Sequence, residues 1–168
     1  MKKDFWKYKF FKDGKEIPVE AALKDFKDRT GLPAPRTWSN QNFPDGKADF
    51  PVTDITWYEA AAYAAFRGKT LPTVFQWEKA ARNGVADPRY NAMPWGLMRQ
   101  GETTNIRANF SGALALPVQN FDFGMSPYGV YNMAGNVSEW CLNQSGDNFV
   151  AGGGSWKDLP YSFGDYGE

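Results

Sequence analysis

The segment from Tyr128 to Trp140 places two glycines, two asparagines and one carboxylate among apolar and aromatic residues, with neither a helical nor a strand period. Glycine and asparagine adopt left-handed backbone conformations more readily than other residues, and an asparagine side chain can hydrogen-bond its own backbone in a turn. The segment therefore predicts a shaped loop that folds around something. Seven tryptophans and seventeen glycines favour an irregular, loop-rich fold held by aromatic packing.

The rest of the chain predicts helices early and loops late. Two helices are each opened by a Thr-x-x-Glu or Thr-x-x-Gln capping box and closed by a glycine, which predicts residues 56–67 and 73–83. Their alanine-rich faces indicate close packing, and we interpret both as scaffold. A further helix is predicted over 19–29, after a proline. Short strands and long loops are expected over 84–148, followed by a strand with a glycine bulge over 149–156. We expect the glycine run 152–154 to lie against a neighbouring backbone or aromatic face, because glycine in a strand is costly unless something approaches too closely for a Cβ.

Composition limits the classes of partner. The 168 residues have the size of a single domain, and 19 basic and 19 acidic side chains cancel, so we expect no nucleic-acid partner. No apolar run reaches the ~20 residues that span a bilayer, and the first residues lack a signal-peptide pattern. We therefore expect no membrane insertion, and the compartment stays open. Evenly spaced alternating strands are missing, which argues against a β-sandwich.

The chain has no histidine and a single cysteine, Cys141. Without histidine there is no imidazole metal site, no Ser-His-Asp triad and no two-histidine iron centre. One cysteine allows no intrachain disulfide. We interpret Cys141 as a small buried apolar residue rather than a reactive thiol.

Three further stretches, 51–57, 71–82 and 152–156, accompany the loop at 128–140 in a fixed order. Together they resemble the formylglycine-generating-enzyme (sulfatase-modifying factor) family over residues 20–160. The resemblance implies an α+β fold of the C-type-lectin-like kind, with two helices, short antiparallel strands and much irregular structure. It also implies one domain over 1–168 that is truncated at both ends, since the family's outer strands have no match here. The members it resembles most are those fused to protein kinases or other signalling modules.

The resemblance also implies a structural Ca²⁺ on the loop. Its ligands would be the Asn132 side chain, the Gly135 and Val137 carbonyls and the Glu139 carboxylate. Calcium takes six to eight oxygen ligands of these kinds. The alternative is that Asn132 and Glu139 only hydrogen-bond the loop to itself. A second family site, matched here by Asn109, lacks its acidic residue, and we expect it to be lost.

Family enzymes oxidise a substrate cysteine with O₂ and a copper(I) ion held by two cysteines downstream of Gly-Gly-Ser-Trp. Residues 157–168 contain no cysteine, and one thiolate cannot form that site. Two further departures are Val74, where the family has glutamate, and Ala151, where it has arginine. We therefore expect no copper, iron or haem, and no copper reaction by this chain as given; whether the native protein is an enzyme stays open.

Three functions remain. The first is a non-catalytic module that binds a protein, peptide or glycan ligand through loops on a rigid frame. The second is a fragment of a formylglycine-generating oxidoreductase whose cysteines lie outside this chain, and the third is a purely structural domain. Four aromatic residues are candidate ligand contacts, although each could instead belong to the core: Trp38, Trp95, Trp156 and Tyr161.

Overall fold

In the part of the chain that the structure describes, short antiparallel hairpins and two long α-helices are joined by irregular segments, an α+β arrangement as expected. Two compact units make up the chain, Met1–Pro44 with Thr53–Lys69, and Asp45–Val52 with Thr70–Glu168. Whether residues 1–168 form one domain stays a prediction, and the helix predicted over 19–29 lies almost entirely outside the described residues. The computed structural model describes residues 10–18, 21, 31, 34–39, 42–82, 93–97 and 106–164.

The first unit contains a small hairpin. Strand β1 (Phe10–Lys12) pairs with β2 (Lys15–Ile17) in antiparallel register. Asp13 and Gly14, with φ of 51° and 74°, form the turn between them. Two successive left-handed residues twist the chain in the sense that an antiparallel hairpin requires, and aspartate followed by glycine is suited to those positions.

Helix α1 (Trp57–Phe66) lies in the same unit. The Thr56 hydroxyl accepts the Glu59 N–H at 3.3 Å, while the Glu59 carboxylate accepts the Thr56 N–H at 2.7 Å. This reciprocal capping box satisfies amide groups that the first turn cannot pair. The helix ends at Gly68, whose φ is 67°, so the prediction over 56–67 is confirmed to within the end residues.

Helix α2 (Val74–Arg82) opens the main part of the second unit in the same way. Thr73 and Gln76 exchange side-chain and backbone hydrogen bonds of 2.8 and 3.2 Å, which confirms the second capping box. The apolar face of the helix buries Trp77 and Ala81 almost completely. This helix, predicted to be scaffold, therefore contributes Trp77 and Ala81 to the core.

Strand β3 (Glu139–Ser145) pairs with β4 (Asn148–Gly152), and the register shifts between Trp140 and Gln144. The strand predicted over 149–156 is therefore too long. Gly153 and Gly154 have φ of 94° and 68°, and this left-handed backbone cannot continue a strand. Two short 3-10 helices, Asp122–Gly124 and Pro160–Gly164, interrupt the loops.

The glycine run after β4 packs against helix α2. A Cβ at Gly152 would lie 3.2 Å from the Trp77 ring, and one at Gly153 would lie 3.0 Å from the Met133 carbonyl oxygen. The prediction that this run contacts a backbone or an aromatic face is confirmed. The buried core of the unit consists of Trp77, Ala81, Met93, Ala108, Phe110, Met133, Ala134, Cys141, Val150 and Phe163.

Replacing Gly153 by alanine should lower the free energy of unfolding by about 2 kcal/mol or more. Alanine is unfavourable in the left-handed backbone conformation, and its methyl group would be too close to its neighbours. Gly146, at the β3–β4 turn, is the matched control, because it has φ of 60° and open space around its Cβ position. Gly146→Ala should cost only about 1 kcal/mol, the backbone strain alone. Urea denaturation measures both, and equal losses would show that Gly153 is not a packed position.

Candidate cation site

Asn132, at the start of the loop, has φ of 53°, a left-handed conformation that asparagine tolerates. Its amide nitrogen donates to the Val118 carbonyl at 2.7 Å, which fixes the orientation of the side chain. The other atom of the amide, Oδ1, is buried and has no hydrogen-bond partner. A buried acceptor without a donor is costly, so this oxygen is suited to a ligand that supplies positive charge.

Gly135 turns the loop where no side chain fits. Its φ is 72°, and a Cβ there would lie 2.6 Å from the Asn109 carbonyl oxygen. The Gly135 N–H donates to the Gly153 carbonyl at 2.8 Å. Within the described part of the chain, no hydrogen bond ends on the carbonyl oxygens of Gly135 or Val137. Both oxygens are therefore available as ligands.

Glu139 is the first residue of β3, and its carboxylate is largely enclosed. One oxygen accepts the indole N–H of Trp77 at 2.7 Å. Burial raises the pKa of Glu139 above its usual value, and the Trp77 hydrogen bond lowers it only in part. The indole N–H compensates the negative charge of this largely enclosed carboxylate only in part, and a cation would stabilise it.

These observations fit a hard cation. The set offers an amide oxygen, two carbonyl oxygens and one carboxylate, all oxygen ligands of the kind that Ca²⁺ prefers. The described residues contain no cluster of three or more His, Cys, Asp or Glu side chains, so this set differs from a transition-metal centre. The assignment of Asn132, Gly135, Val137 and Glu139 as ligands stays a prediction.

Asn136 is the residue that sequence reasoning missed. It lies between the two predicted carbonyl ligands, is 1% exposed and has φ of 66°. Its Oδ1 accepts the Leu116 N–H at 2.8 Å and the Asn109 amide at 3.1 Å, while its Nδ2 donates to the Leu116 carbonyl at 3.1 Å. The sequence shows only that an asparagine follows a glycine in a loop. This pattern does not predict hydrogen bonds to Asn109 and Leu116.

Asn109, the residue matched to the second cation site, takes part in this hydrogen-bond network. Its amide nitrogen donates to the Leu114 carbonyl at 2.9 Å as well as to Asn136. Gly112 packs against the same side chain so closely that a Cβ there would overlap it. These bonds use the amide nitrogen and not the oxygen, and the expected loss of the second site stays a prediction.

Cys141 is fully buried on β3. Burial, and then the negative charges of Glu139 and Glu78, raise the pKa of its thiol to about 11. The thiolate is the nucleophilic and metal-binding form of cysteine, so a thiol in this environment is inert. The interpretation of Cys141 as a buried apolar residue agrees with these findings.

The four candidate contact residues lie in different surroundings. Trp38 packs edge-on against Phe43, with ring centroids 6.0 Å apart. Trp95 packs against the core, its indole nitrogen is buried without a partner, and the Arg107 guanidinium lies 6.0 Å from its ring. Trp156 is partly exposed and covered by the Lys157 ammonium at 4.9 Å. Tyr161 lies in the Pro160–Gly164 helix, but its side chain lies outside the described part of the structure.

Two aromatic residues that were not predicted as contacts are far more exposed. Phe75 is 81% exposed and Phe123 is 72% exposed. Phe75 lies opposite the Trp77 face of α2, so helical periodicity could have identified it. Phe123 lies in an irregular loop, where no periodicity applies. No helix among the described residues is long and apolar enough to cross a bilayer.

Residues 8–166 match the sulfatase-modifying factor enzyme 1-like domain family. The serine/threonine-protein kinase pkn1 of Chlamydia pneumoniae is 40% identical over 134 residues, which cover 68% of this chain and 20% of the kinase. The inactive C-alpha-formylglycine-generating enzyme 2 of Bos taurus is 38% identical over 130 residues, covering 67% of this chain and 40% of that protein. The chain thus spans less than half the length of either relative.

The crystal structure of CarF is similar in fold, with a TM-score of 0.53 over 73% of this chain and 62% of CarF, at 21% identity. That likeness concerns the fold alone and confirms the predicted fold class. With the match over residues 8–166 it leads to one conclusion. The chain belongs to the sulfatase-modifying factor, or formylglycine-generating-enzyme, family.

Proposed function

We propose that this chain is a non-catalytic binding module, which presents a rigid aromatic loop to a protein or peptide ligand and is stapled by a structural Ca²⁺. The observation that carries the proposal is the turn Asp122–Gly124, whose clamped backbone presents the exposed ring of Phe123. A glycan remains the alternative ligand, since aromatic rings also stack on sugars. The C-type-lectin-like relation of the scaffold is part of this proposal.

The turn is clamped from several sides. Gly124 donates its N–H to the Phe121 carbonyl at 2.8 Å, and a Cβ on Gly124 would overlap the Arg107 carbonyl oxygen. The Arg107 guanidinium also donates a hydrogen bond to the Phe123 carbonyl at 2.8 Å. The Asp122 charge, burial and a side-chain hydrogen bond together raise the pKa of Tyr131 beside it. The backbone around Phe123 is therefore held on both sides.

This rigidity is costly for the fold. Phe121 has φ of 70°, and a left-handed conformation is unfavourable for a bulky aromatic residue. Such strain persists where the surroundings over-determine it and is concentrated at functional sites. A pre-organised exposed aromatic side chain loses little entropy on binding, which is the property of an interface anchor. Since 72% of Phe123 is exposed, its ring adds little to the core.

The chemistry of the chain supports a non-catalytic role. The copper reaction of the family requires a cysteine pair, whereas this chain contains only Cys141, which is buried. One relative carries the word inactive in its name, and another is a protein kinase, a setting in which the domain would bind a protein or peptide. The alternative, a fragment of an oxidoreductase, requires a cysteine pair in a longer native protein, and the full-length gene would decide it.

The Ca²⁺ would act as a staple. Asn132 and Glu139 would supply the side-chain ligands, and the Gly135 and Val137 carbonyls would complete the protein set. A bound ion would supply positive charge to the unpartnered Asn132 oxygen and to the buried Glu139 carboxylate. The chain's own residues hold and orient the ion, and no reaction is assigned to it.

Phe123→Ala should abolish or strongly weaken binding without lowering the melting temperature, because the ring is exposed and its clamps involve only the backbone. Immobilised peptide and glycan arrays, probed with the labelled chain in Ca²⁺, identify the ligand, and titration measures the variant. Val52→Ala is the matched control, because Val52 is also an exposed apolar side chain, 47% exposed. An unchanged affinity in Phe123→Ala, or no ligand on any array, would contradict the proposal.

Glu139→Gln tests the staple. In chelator the variant should be at least as stable as the parent, because the amide oxygen can still accept the Trp77 N–H and no charge is buried. In Ca²⁺ at 100 times Kd the parent should gain about 2.7 kcal/mol, and the variant should lose most of that gain. Thermal unfolding in Ca²⁺ and in chelator measures both. Identical curves for the parent in the two buffers would contradict the staple.

Cys141 should resist thiol reagents in the native state. Since its pKa is raised from 9.0 to about 11, the thiolate is scarce below pH 9, and the side chain is enclosed. Labelling with an aromatic disulfide reagent should therefore be slow in buffer and fast in denaturant. Fast labelling of the folded chain would show a reactive cysteine and would weaken the non-catalytic assignment.

A further inference from the structure

The amide of Asn136 joins segments that are far apart in sequence. Its side chain bonds both backbone groups of Leu116 and the Asn109 amide. Its own N–H donates to the Asn109 carbonyl at 2.8 Å, and its carbonyl accepts the Trp156 N–H at 3.0 Å. Four of the five bonds lead to the loop around 109–116, and the fifth leads to Trp156 in the loop after β4.

These bonds do not use the carbonyl groups on either side of Asn136. The Asn136 carbonyl is committed to Trp156, and the Gly135 N–H is committed to Gly153. The carbonyls on either side of Asn136, those of Gly135 and Val137, accept no hydrogen bond from the described residues. The network therefore fixes the shape of the backbone at the two predicted carbonyl ligands through groups that are not ligands.

We infer that Asn136 is a positioning residue that sets the affinity of the loop for its cation without touching the cation. The inference rests on the proposed cation site. A loop that is already ordered by protein hydrogen bonds does not lose that conformational freedom when the ion binds. Residues that orient ligands from behind commonly change metal affinity by about 10–100-fold when they are replaced.

The residue type at 136 follows from the geometry. The position needs φ of 66°, one acceptor for two donors and one donor for a carbonyl. Asparagine supplies all of these and tolerates the left-handed conformation. Glycine would keep the backbone conformation while removing every side-chain bond. Asn136→Gly therefore tests the contribution of the side-chain amide separately from that of the backbone conformation.

Terbium(III), a hard cation with oxygen ligands like those of Ca²⁺, is the probe. The indole nitrogen of Trp77 lies 2.7 Å from the Glu139 carboxylate, so Tb³⁺ bound by that carboxylate should luminesce when tryptophan is excited. Titration gives the Kd of Tb³⁺, and competition gives the Kd of Ca²⁺. Circular dichroism checks that each variant is folded at the assay temperature, and melting in chelator gives its intrinsic stability.

Asn136→Gly should raise the Kd of Tb³⁺ and the Kd of Ca²⁺ by about ten-fold or more. Met93→Ala is the stability control, because it removes buried apolar volume without removing a hydrogen bond of the loop, and it should leave the Kd unchanged. If Asn136→Gly does not fold, Asn109→Ala carries the test, since it removes one bond to Asn136 and keeps the two to Leu116. We expect a higher Kd for the Asn109→Ala variant as well.

Three results would overturn the inference. The first is an unchanged Kd in the folded amide variant. The second is an equal loss in Met93→Ala, which would show that any loosening of the core weakens binding. The third is a parent chain that binds neither Tb³⁺ nor Ca²⁺, which would remove the cation site itself. The parent titration alone separates this last result from the other two.

Discussion

The buried amide of Asn136 is the interaction on which the loops of the second unit depend. Its side chain and backbone bond residues of the loop around 109–116 and the Trp156 N–H after β4. A buried polar group in a loop is costly when unpaired and specific when fully paired. Here both atoms of the amide are paired, so these irregular segments gain a fixed shape without a sheet. This explains how a chain with short strands can hold a defined loop.

Local signals in the sequence predicted the helices. Both capping boxes involve residues three apart, and both form as expected. The glycine run after β4 was also predicted to be packed, because glycine in a strand-like segment is unfavourable unless something approaches closely. The strand itself was predicted too long, since a sequence of three glycines does not show which of them becomes left-handed. Gly152 still belongs to β4, whereas Gly153 and Gly154 leave it.

The candidate site was predicted less completely, because its key contacts join residues far apart in sequence. Trp77 and Glu139 are 62 residues apart, and Asn136 and Leu116 are 20 apart. No periodicity or turn rule pairs them. The exposed aromatic residues show the same limit. Tryptophans in loops were natural candidates for contacts, yet Trp95 packs against the core, whereas the loop residue Phe123 is 72% exposed. Which of several aromatic residues is exposed depends on clamps such as the one that Arg107 provides.

Trp77 links the core to the candidate site. One face of its ring excludes side chains at Gly152 and Gly153, and its indole N–H donates to the Glu139 carboxylate. The same residue therefore fixes the end of β4 and the start of β3. It also brings a carboxylate into a largely enclosed position, where one indole donor compensates its charge only in part. The enclosed Glu139 carboxylate and the unpartnered Asn132 amide oxygen both belong to residues of the predicted cation set. A cation at this loop would resolve the imbalance, and the aromatic core would then hold the ion's strongest ligand.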